Sequence, residues 1–256
     1  MNFVLEIKNV SYSYHSRLGE TPALQDISFN VEDGEFISIV GPSGCGKSTL
    51  LSLISGLAAP ESGSIHISGN HNIGYMFQKD NLFEWRTIYG NVTLGLEIGH
   101  KKTPENISHV KTMLQTYGLE DFVHAKPSQL SGGMRQRAAL IRTLALEPDI
   151  LLLDEPFSAL DYQTRLEVSD DIGKILRAEN KTAILVTHDL SEAIAMGDRV
   201  IVLSQRPAVI KEIVPIQFSI PKRTPLAARK APEFQDYFNR IWKELTEHET
   251  EHNQSQ

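Results

Sequence analysis

The sequence predicts an α/β fold in which a mostly parallel sheet carries helices on both faces. The main observation is a set of apolar, β-rich runs of strand length, separated from one another by helical stretches. These runs occupy residues 36–40, 150–153, 184–186 and 200–203. The second observation is that polar residues suited to chemistry directly follow several of the runs. Because ligands bind beyond the carboxyl ends of parallel strands, we expect a functional site at this edge.

Two additions to the core are predicted before the carboxyl terminus. Residues 5–10 and 27–31 alternate apolar and polar side chains, which predicts an amino-terminal antiparallel β-subdomain, with a loop at residues 17–21. From about residue 82 to 146, apolar side chains recur at helical spacing. This pattern predicts a helical subdomain inserted into the sheet framework.

The last part of the chain has a different character. We predict one main domain over residues 1–214, followed by residues 215–256 as an extended linker and an amphipathic helix. The linker is rich in proline. In the helix, Phe234, Phe238 and Ile241 share one face at spacings of three and four residues.

Composition narrows the class of protein. The chain has 256 residues, 41% hydrophobic and 22% charged, with one cysteine and a net charge of −7. An acidic chain lacks the basic face of an electrostatic nucleic-acid binder, so no nucleic-acid partner is expected. The first residues do not form a signal-peptide pattern, and no apolar run approaches the roughly 20 residues that span a bilayer. We therefore expect a soluble protein whose role at a membrane depends on a partner.

A glycine-rich loop, residues 41–49, follows the first apolar run. Its glycine spacing, followed by Lys47 and Ser48, matches a phosphate-binding loop set between a strand and a helix. Backbone N–H groups can surround a polyphosphate only where no side chain intervenes, so the bends require glycine. Lys47 is expected to reach the β- and γ-phosphates, and the Ser48 hydroxyl to hold Mg²⁺. The predicted binding residues are Gly41, Pro42, Ser43, Gly44, Cys45, Gly46, Lys47, Ser48 and Thr49.

Two carboxylates, Asp154 and Glu155, stand at the end of the run at 150–153. Burying carboxylates at a strand end is costly unless a cation or a water molecule uses them. Asp154 is therefore expected to hold Mg²⁺, directly or through water, and Glu155 to act as general base on the attacking water. A helix-capping acidic pair is the alternative interpretation.

The other candidates are weaker when each is taken alone. Gln78 and His188 both follow predicted strands, but surface glutamines and core or capping histidines are common. Tyr14 could belong to the core, and Tyr12 competes with it for the same role. The cluster Ser131-Gly132-Gly133 opens a predicted helix, which fits either a second anion site or a serine N-cap with flexible glycines.

These candidates occur in the order of the motifs of one family. Residues 130–137, Leu-Ser-Gly-Gly-Met-Arg-Gln-Arg, resemble the signature motif of ABC transporter ATPases, and residues 150–156 resemble their Walker B strand with its catalytic glutamate. The remaining resemblances are Gln78 to the Q-loop, Ser158-Ala159-Leu160-Asp161 to the D-loop, Thr187-His188-Asp189 to the H-loop and Tyr14 to the aromatic A-loop residue.

The resemblance implies a P-loop NTPase core that hydrolyses ATP with Mg²⁺. It also implies a homodimer in which each ATP lies between the phosphate loop of one subunit and the signature of the other. Ser131 and Gly133 then contact the γ-phosphate in trans, and Asp161 couples the two sites. The implied catalytic residues are Glu155, His188 and Lys47; the nucleotide-binding residues are Tyr14, the loop at 41–49, Gln78, Ser131, Gly132, Gly133 and Asp161; and the metal ligands are Ser48, Gln78 and Asp154.

Finer features resemble the ATPases of nitrate, sulfonate and taurine importers. The resemblance is carried by residues 77–87, by the signature ending Gly-Gly-Met-Arg-Gln-Arg, and by Pro232-Glu233-Phe234 with Ile241-Trp242. The chain departs from the broad family at Met134, where glutamine is usual, and from these importers at Glu84, where proline is usual.

The importer resemblance implies partners and a place in the cell. The chain is expected at the cytoplasmic face of the cell membrane, bound to integral-membrane permease subunits and served indirectly by an extracytoplasmic solute-binding protein. Leu82, Phe83, Trp85 and Tyr89 are expected to face the permease, although a plain aromatic core could also explain them. The alternatives are a soluble ABC ATPase without a transporter, in translation or DNA repair, and the ATPase of an exporter.

Overall fold

The computed structural model describes residues 3–17, 19–69, 71–221 and 223–246. The strands, in chain order, are β1 (Phe3–Ser16), β2 (Gly19–Glu32), β3 (Phe36–Val40), β4 (Ser62–Ile67), β5 (Ile73–Met76), β6 (Ile150–Asp154), β7 (Thr182–Val186), β8 (Arg199–Leu203) and β9 (Ile210–Pro215). The α-helices are α1 (Lys47–Ile54), α2 (Ile88–Val92), α3 (Leu94–Ile98), α4 (Pro104–Thr116), α5 (Gly132–Leu144), α6 (Tyr162–Ala178), α7 (Leu190–Met196), α8 (Pro225–Ala228) and α9 (Phe234–Thr246). Within the described ranges, no helix is both long enough and apolar enough to cross a membrane.

The chain forms two compact units, described separately below. Unit 1 comprises Met1–His71 and Asp170–Gln256, and unit 2 comprises Asn72–Ser169. Helix α6 begins in unit 2 and ends in unit 1.

The predicted antiparallel β-subdomain is present in unit 1, as a sheet with strand order β2-β1-β4. The loop expected at residues 17–21 is shorter than predicted, because β1 continues to Ser16 and β2 already begins at Gly19. Tyr14 pairs with Thr21, and His15 pairs with Glu20. The described residues at this end of the hairpin are exposed on both faces, so the sequence lacks the alternation that would have indicated strands.

A second group of strands in unit 1 places the predicted site residues. Strand β3 pairs in parallel with β7 on one side and with β8 on the other, and β9 adds an antiparallel edge. The side chains of β3 and β7 are buried, as expected for strands covered on both faces. Gly41 follows β3 directly, and His188 comes shortly after β7, so both lie beyond carboxyl ends of parallel strands.

Unit 2 combines a parallel strand pair with the predicted helical region. Strands β5 and β6 pair in parallel, with Tyr75 opposite Leu152. Helices α2 to α5 lie between these strands in the chain. The α/β class with mostly parallel pairing, an antiparallel β-subdomain and a helical part is therefore confirmed.

The carboxyl-terminal segment contributes to the core of unit 1 through α9, and the domain boundary after residue 214 stays a prediction. Ile241 of α9 is fully buried in a cluster with Val40, Val200 and Val214. Three aromatic side chains of α9, Phe234, Tyr237 and Phe238, pack against the same cluster. Residues 247–256 of the predicted segment lie outside the described residues. The amphipathic stripe was visible in the sequence, but the surface that it covers was not.

An ion-pair network also attaches this segment. Arg223 and Arg177 each donate to Asp198 Oδ1, at 2.9 and 3.1 Å. The guanidinium of Arg223 lies 5.1 Å from the centre of the Phe218 ring. Burial lowers the pKa of Arg223 to about 10, with Arg177 adding to the shift and Asp198 opposing it. Arg223 remains charged at neutral pH and keeps the linker on the body of unit 1.

Replacing Ile241 with Ala should therefore lower the free energy of unfolding by about 2–5 kcal/mol, because it leaves a cavity in a packed cluster. Asn239→Ala, at an exposed position of the same helix, is the matched control and should change stability by less than about 0.5 kcal/mol. Urea unfolding of the two variants measures the difference. Equal stabilities would mean that α9 is dispensable for the fold.

Candidate functional site

The glycine loop of unit 1 has the backbone that a phosphate cradle requires. Gly46 has a φ of +124°, and a Cβ there would lie 2.9 Å from Leu24 Cδ2. A Cβ at Gly41 would lie 2.9 Å from Cys45 Sγ. Only glycine fits these positions without movement of the neighbours. Helix α1 begins directly after Gly46, at Lys47, so its N-terminal N–H groups lie at the loop.

Lys47 is anchored to the loop by its own ammonium group. Its Nζ donates to Gly41 O at 2.8 Å and to Pro42 O at 3.0 Å. The side chain is only 6% exposed. These two hydrogen bonds hold the ammonium group within the loop. Phosphate oxygens of a bound nucleotide can replace the two carbonyl oxygens as acceptors.

Cys45 lies in the same loop but presents no thiol to solvent. Its side chain is buried, and burial raises the pKa of the thiol, although the positive charge of Lys47 opposes the shift. Its backbone N–H donates to Pro42 O at 3.2 Å, which closes the turn. Ser43 and Gly44 are exposed in the same turn. Cys45 thus contributes to the loop through its backbone and its packing.

Tyr14 is joined to the end of the loop. A hydrogen bond of 2.7 Å links Tyr14 Oη and Thr49 Oγ1, while 44% of the tyrosine remains exposed. The Tyr12 ring meets Tyr14 edge to face, with centroids 5.2 Å apart. Of the two tyrosines, the structure gives Tyr14 the direct link to the loop. Its exposed ring offers a surface for stacking.

His188 lies between β7 and α7, and both of its neighbours in the chain make side-chain hydrogen bonds. Thr187 is buried and donates to Glu192 Oε2 at 2.8 Å. Asp189 caps α7 by accepting from the backbone N–H groups of Ser191 and Glu192. Because both flanking residues are fixed, the backbone of His188 has a defined position at the strand end, and its side chain is exposed there.

In unit 2, both carboxylates at the end of β6 are bound by side chains from the β5 segment. Tyr75 Oη donates to Asp154 Oδ2 at 3.1 Å, and Gln78 Nε2 donates to Glu155 Oε2 at 3.1 Å. Asp154 is buried. Gln78 and Glu155, which were predicted separately, are therefore in direct contact.

Glu155 has an unusual backbone. Its φ is +44°, in the left-handed region that non-glycine residues seldom adopt. Ser158 Oγ donates to Glu155 O at 3.0 Å and stabilises the turn that follows. Strain of this kind is commonly kept at functional positions, where the geometry matters more than its cost.

The predicted signature and D-loop residues cap helices in unit 2. Ser131 Oγ accepts from Met134 N at 3.3 Å, at the start of α5. A Cβ at Gly133 would lie 2.8 Å from Thr164 Cγ2, so packing against α6 already requires this glycine. Asp161 Oδ1 accepts from Thr164 N at 3.1 Å, and hydrogen bonds from Thr164 lower the pKa of Asp161. The serine N-cap interpretation thus describes the contacts of Ser131 within this chain.

Sequence reasoning missed a connection between the Q-loop and α5. Arg142 donates to the backbone carbonyls of Asp80 and Asn81, each at 2.7 Å. Arg135 pairs with the Asp80 carboxylate at 3.2 Å. Arg135 and Arg142 carry no sequence signal for this role, because arginine is common in helices and nothing in the chain marks these two as contacts of residues 80–81.

The aromatic residues predicted to face a partner are partly exposed. Trp85 is 72% exposed and stacks on Phe83, with ring centroids 4.6 Å apart. Lys126 Nζ donates to Trp85 O at 2.6 Å and fixes the loop. Leu82 is buried. A plain aromatic core therefore does not describe Trp85.

Comparison with known proteins decides the family. The model of the family described as ABC transporter matches residues 24–158, which include the glycine loop and the end of β6. The chain belongs to the ABC transporter family. As a member, it is an ATP hydrolase.

Curated relatives cover nearly the whole of this ABC ATPase. An ABC transporter ATP-binding protein of Bacillus subtilis is 48% identical, covering 94% of this chain and 95% of its own. A taurine import ATP-binding protein of Jannaschia sp. is 39% identical, covering 84% and 83%. A nitrate import ATP-binding protein of Synechocystis sp. is 38% identical, covering 96% and 97%. The resemblance to importer ATPases is confirmed.

Solved structures agree on the fold. A dimeric ATP-binding cassette in a post-hydrolysis state, bound to ADP and Pi, matches with a TM-score of 0.71 and 32% identity, over 83% of this chain and 99% of that one. A part of the cbiONQ ABC transporter complex from Clostridium perfringens matches with a TM-score of 0.72 and 26% identity, over 84% and 89%. The P-loop ABC fold is confirmed.

The donor set of this ABC ATPase suits Mg²⁺. Among the described residues there is no group of three or more His, Cys, Asp or Glu side chains that could cage a metal. Mg²⁺ commonly uses only one or two protein oxygens and completes its shell with phosphates and water. The carboxylate of Asp154 and the hydroxyl of Ser48 are hard oxygen donors of the right kind. Each of these two donors, one in unit 2 and the other in unit 1, is by its own chemistry of the kind that Mg²⁺ binds.

Proposed function

We propose that this protein is the ATP-hydrolysing subunit of a bacterial ABC importer. Two copies bind ATP between them, and its binding and hydrolysis drive uptake of a small solute through separate permease subunits. The solute is nitrate, a sulfonate, taurine or a related compound. The observation that carries the proposal is similarity to import ATP-binding proteins, over 84% of this chain for the taurine relative and 96% for the nitrate relative.

The chemistry assigns a role to each predicted side chain. Lys47 binds the β- and γ-phosphates, and Tyr14 stacks on the base. Ser48, Gln78 and Asp154 hold Mg²⁺, which supplies charge neutralisation at the phosphates. Glu155 takes a proton from the attacking water, and His188 stabilises the γ-phosphate. These roles are supported by the hydrogen bond from Lys47 to the loop in unit 1 and by the contact between Gln78 and Glu155 in unit 2.

The dimer is proposed because the family resemblance pairs the signature residues with the phosphate loop of a second copy, and the start of α5 is compatible with that role. Ser131 and the N-terminus of α5 form a capped helix start suited to a phosphate. The similar ATP-binding cassette bound to ADP and Pi is itself a dimer. In the proposal, ATP joins two subunits, and hydrolysis separates them, so the chemical step becomes an opening motion.

Permease docking is proposed at Trp85 and Phe83. Trp85 is exposed, stacks on the partly buried Phe83 and is held by a backbone contact, so it is a suitable anchor for a helix of a partner protein. Lipid contact is not needed, because the permease supplies the membrane-spanning part. The protein would therefore lie at the cytoplasmic face of the membrane.

Co-purification with the permease tests this proposal. Trp85→Ala should weaken permease binding by about 10-fold or more and abolish solute-stimulated ATP turnover in proteoliposomes. Trp242→Ala is the matched control, since its side chain is also exposed but lies on α9. Uptake of labelled taurine, an alkanesulfonate and nitrate then identifies the solute. Equal permease binding by both variants would contradict the docking site, and a permease complex that exports solute would contradict the importer.

A further inference from the structure

The hydrogen bond between Tyr75 and Asp154 joins a strand residue to the carboxylate at the end of β6. In the register of β5 and β6, Tyr75 stands opposite Leu152. Its hydroxyl reaches past that partner to the last residue of β6, where it donates to Asp154 Oδ2 at 3.1 Å. Asp154 is the carboxylate proposed to hold Mg²⁺.

The tyrosine ring is itself held in place. It stacks on Phe77 with ring centroids 4.5 Å apart and an interplanar angle of 29°. The ring is half-buried, and β5 fixes its backbone. The hydroxyl therefore donates from a defined position.

We propose that Tyr75 is a positioning residue for the metal-binding carboxylate of Asp154. Rotation of an aspartate about its Cβ–Cγ bond has only broad preferences of its own. A hydrogen bond to Oδ2 fixes that rotation and so sets the direction in which Oδ1 faces. Partners of this kind around metal ligands are worth roughly 10- to 100-fold in metal affinity. This inference rests on the proposed function, because it assigns the metal to Asp154.

A matched pair of variants tests it. Tyr75→Phe removes only the hydroxyl and keeps the ring stack. Tyr237→Phe is the control, because the Tyr237 hydroxyl also makes hydrogen bonds, to the backbone N and O of Gln217 at 3.0 Å each, but does so in the carboxyl-terminal segment. Mn²⁺ replaces Mg²⁺ as the probe and is titrated by electron paramagnetic resonance in the presence of a non-hydrolysable ATP analogue.

The expected result is an approximately tenfold weaker Mn²⁺ affinity for Tyr75→Phe, with the Tyr237→Phe value equal to wild type. Binding of the analogue without metal should be unchanged in both variants. The Mg²⁺ concentration for half-maximal ATP turnover should rise for Tyr75→Phe, while turnover at saturating Mg²⁺ stays near wild type.

Two results would overturn the inference, and they are distinguishable from failure of the proposed function. Wild-type Mn²⁺ affinity in Tyr75→Phe, or equal losses in both variants, removes the positioning role but leaves the nucleotide site standing. A wild-type protein that binds neither the analogue nor its Mn²⁺ complex removes the proposed function as well.

Discussion

Glu155→Gln should lose nearly all ATP turnover while keeping its affinity for ATP. The amide has the shape of the carboxylate but cannot take a proton from water, and general-base catalysis contributes about 10²- to 10⁴-fold to rates. The substitution keeps a polar group for Gln78 to contact, so the turn after β6 should persist. Turnover is measured by phosphate release, and affinity by equilibrium titration with labelled ATP.

Glu147→Gln is a suitable control for this variant. Glu147 is a glutamate of unit 2 that also has a left-handed backbone, at a φ of +50°, but it is exposed and precedes β6. Its replacement should leave turnover unchanged. If Glu155→Gln hydrolyses ATP at the wild-type rate, Glu155 is not the base.

Lys47→Ala should abolish measurable nucleotide binding. In the proposed mechanism, Lys47 is the side chain that places a positive charge at the β- and γ-phosphates. Charge-assisted hydrogen bonds of this kind are stronger than hydrogen bonds between neutral groups. Their removal from a buried position implies a loss of affinity on the order of 100-fold or more. Calorimetric titration with ATP and Mg²⁺ measures it.

The loss of ATP affinity must be distinguished from a change in the loop's conformation, because Lys47 also donates hydrogen bonds to Gly41 O and Pro42 O. Lys8→Ala, at an exposed position of β1, removes a lysine from the same unit and should bind ATP normally. Lys47→Arg keeps the charge and reports on loop geometry through its melting temperature. Micromolar ATP affinity retained by Lys47→Ala would contradict the assignment of the phosphate loop.

Much of the fold was predictable because its signals are local. Apolar runs identify β3, β6 and β7, and the sequence directly shows which residue follows each run. Parallel strands then bring those residues to one edge by a general rule, which is why Gly41 and His188 lie at strand ends as expected.

What the sequence did not reveal depends on pairing between distant segments. The bond from Tyr75 to Asp154 needs the register of β5 against β6, and a shift of one residue would turn the ring to the other face. The hydrogen bonds from Arg142 to the Asp80 and Asn81 carbonyls also join residues that are far apart in the sequence. The sequence predicted an amphipathic helix that contains Ile241, because periodicity shows which residues share one face of a helix. It does not show which surface that face covers, here the cluster around Val40 and Val200.

The dependence of ATP turnover on protein concentration shows whether two copies of the chain are needed for each ATP site. If two copies of the chain form each site, turnover per chain should rise steeply with concentration through the range in which sedimentation shows dimers forming. ATP should shift that range to lower concentrations, most strongly for Glu155→Gln. Turnover per chain that stays constant down to concentrations at which only monomer sediments would contradict the account.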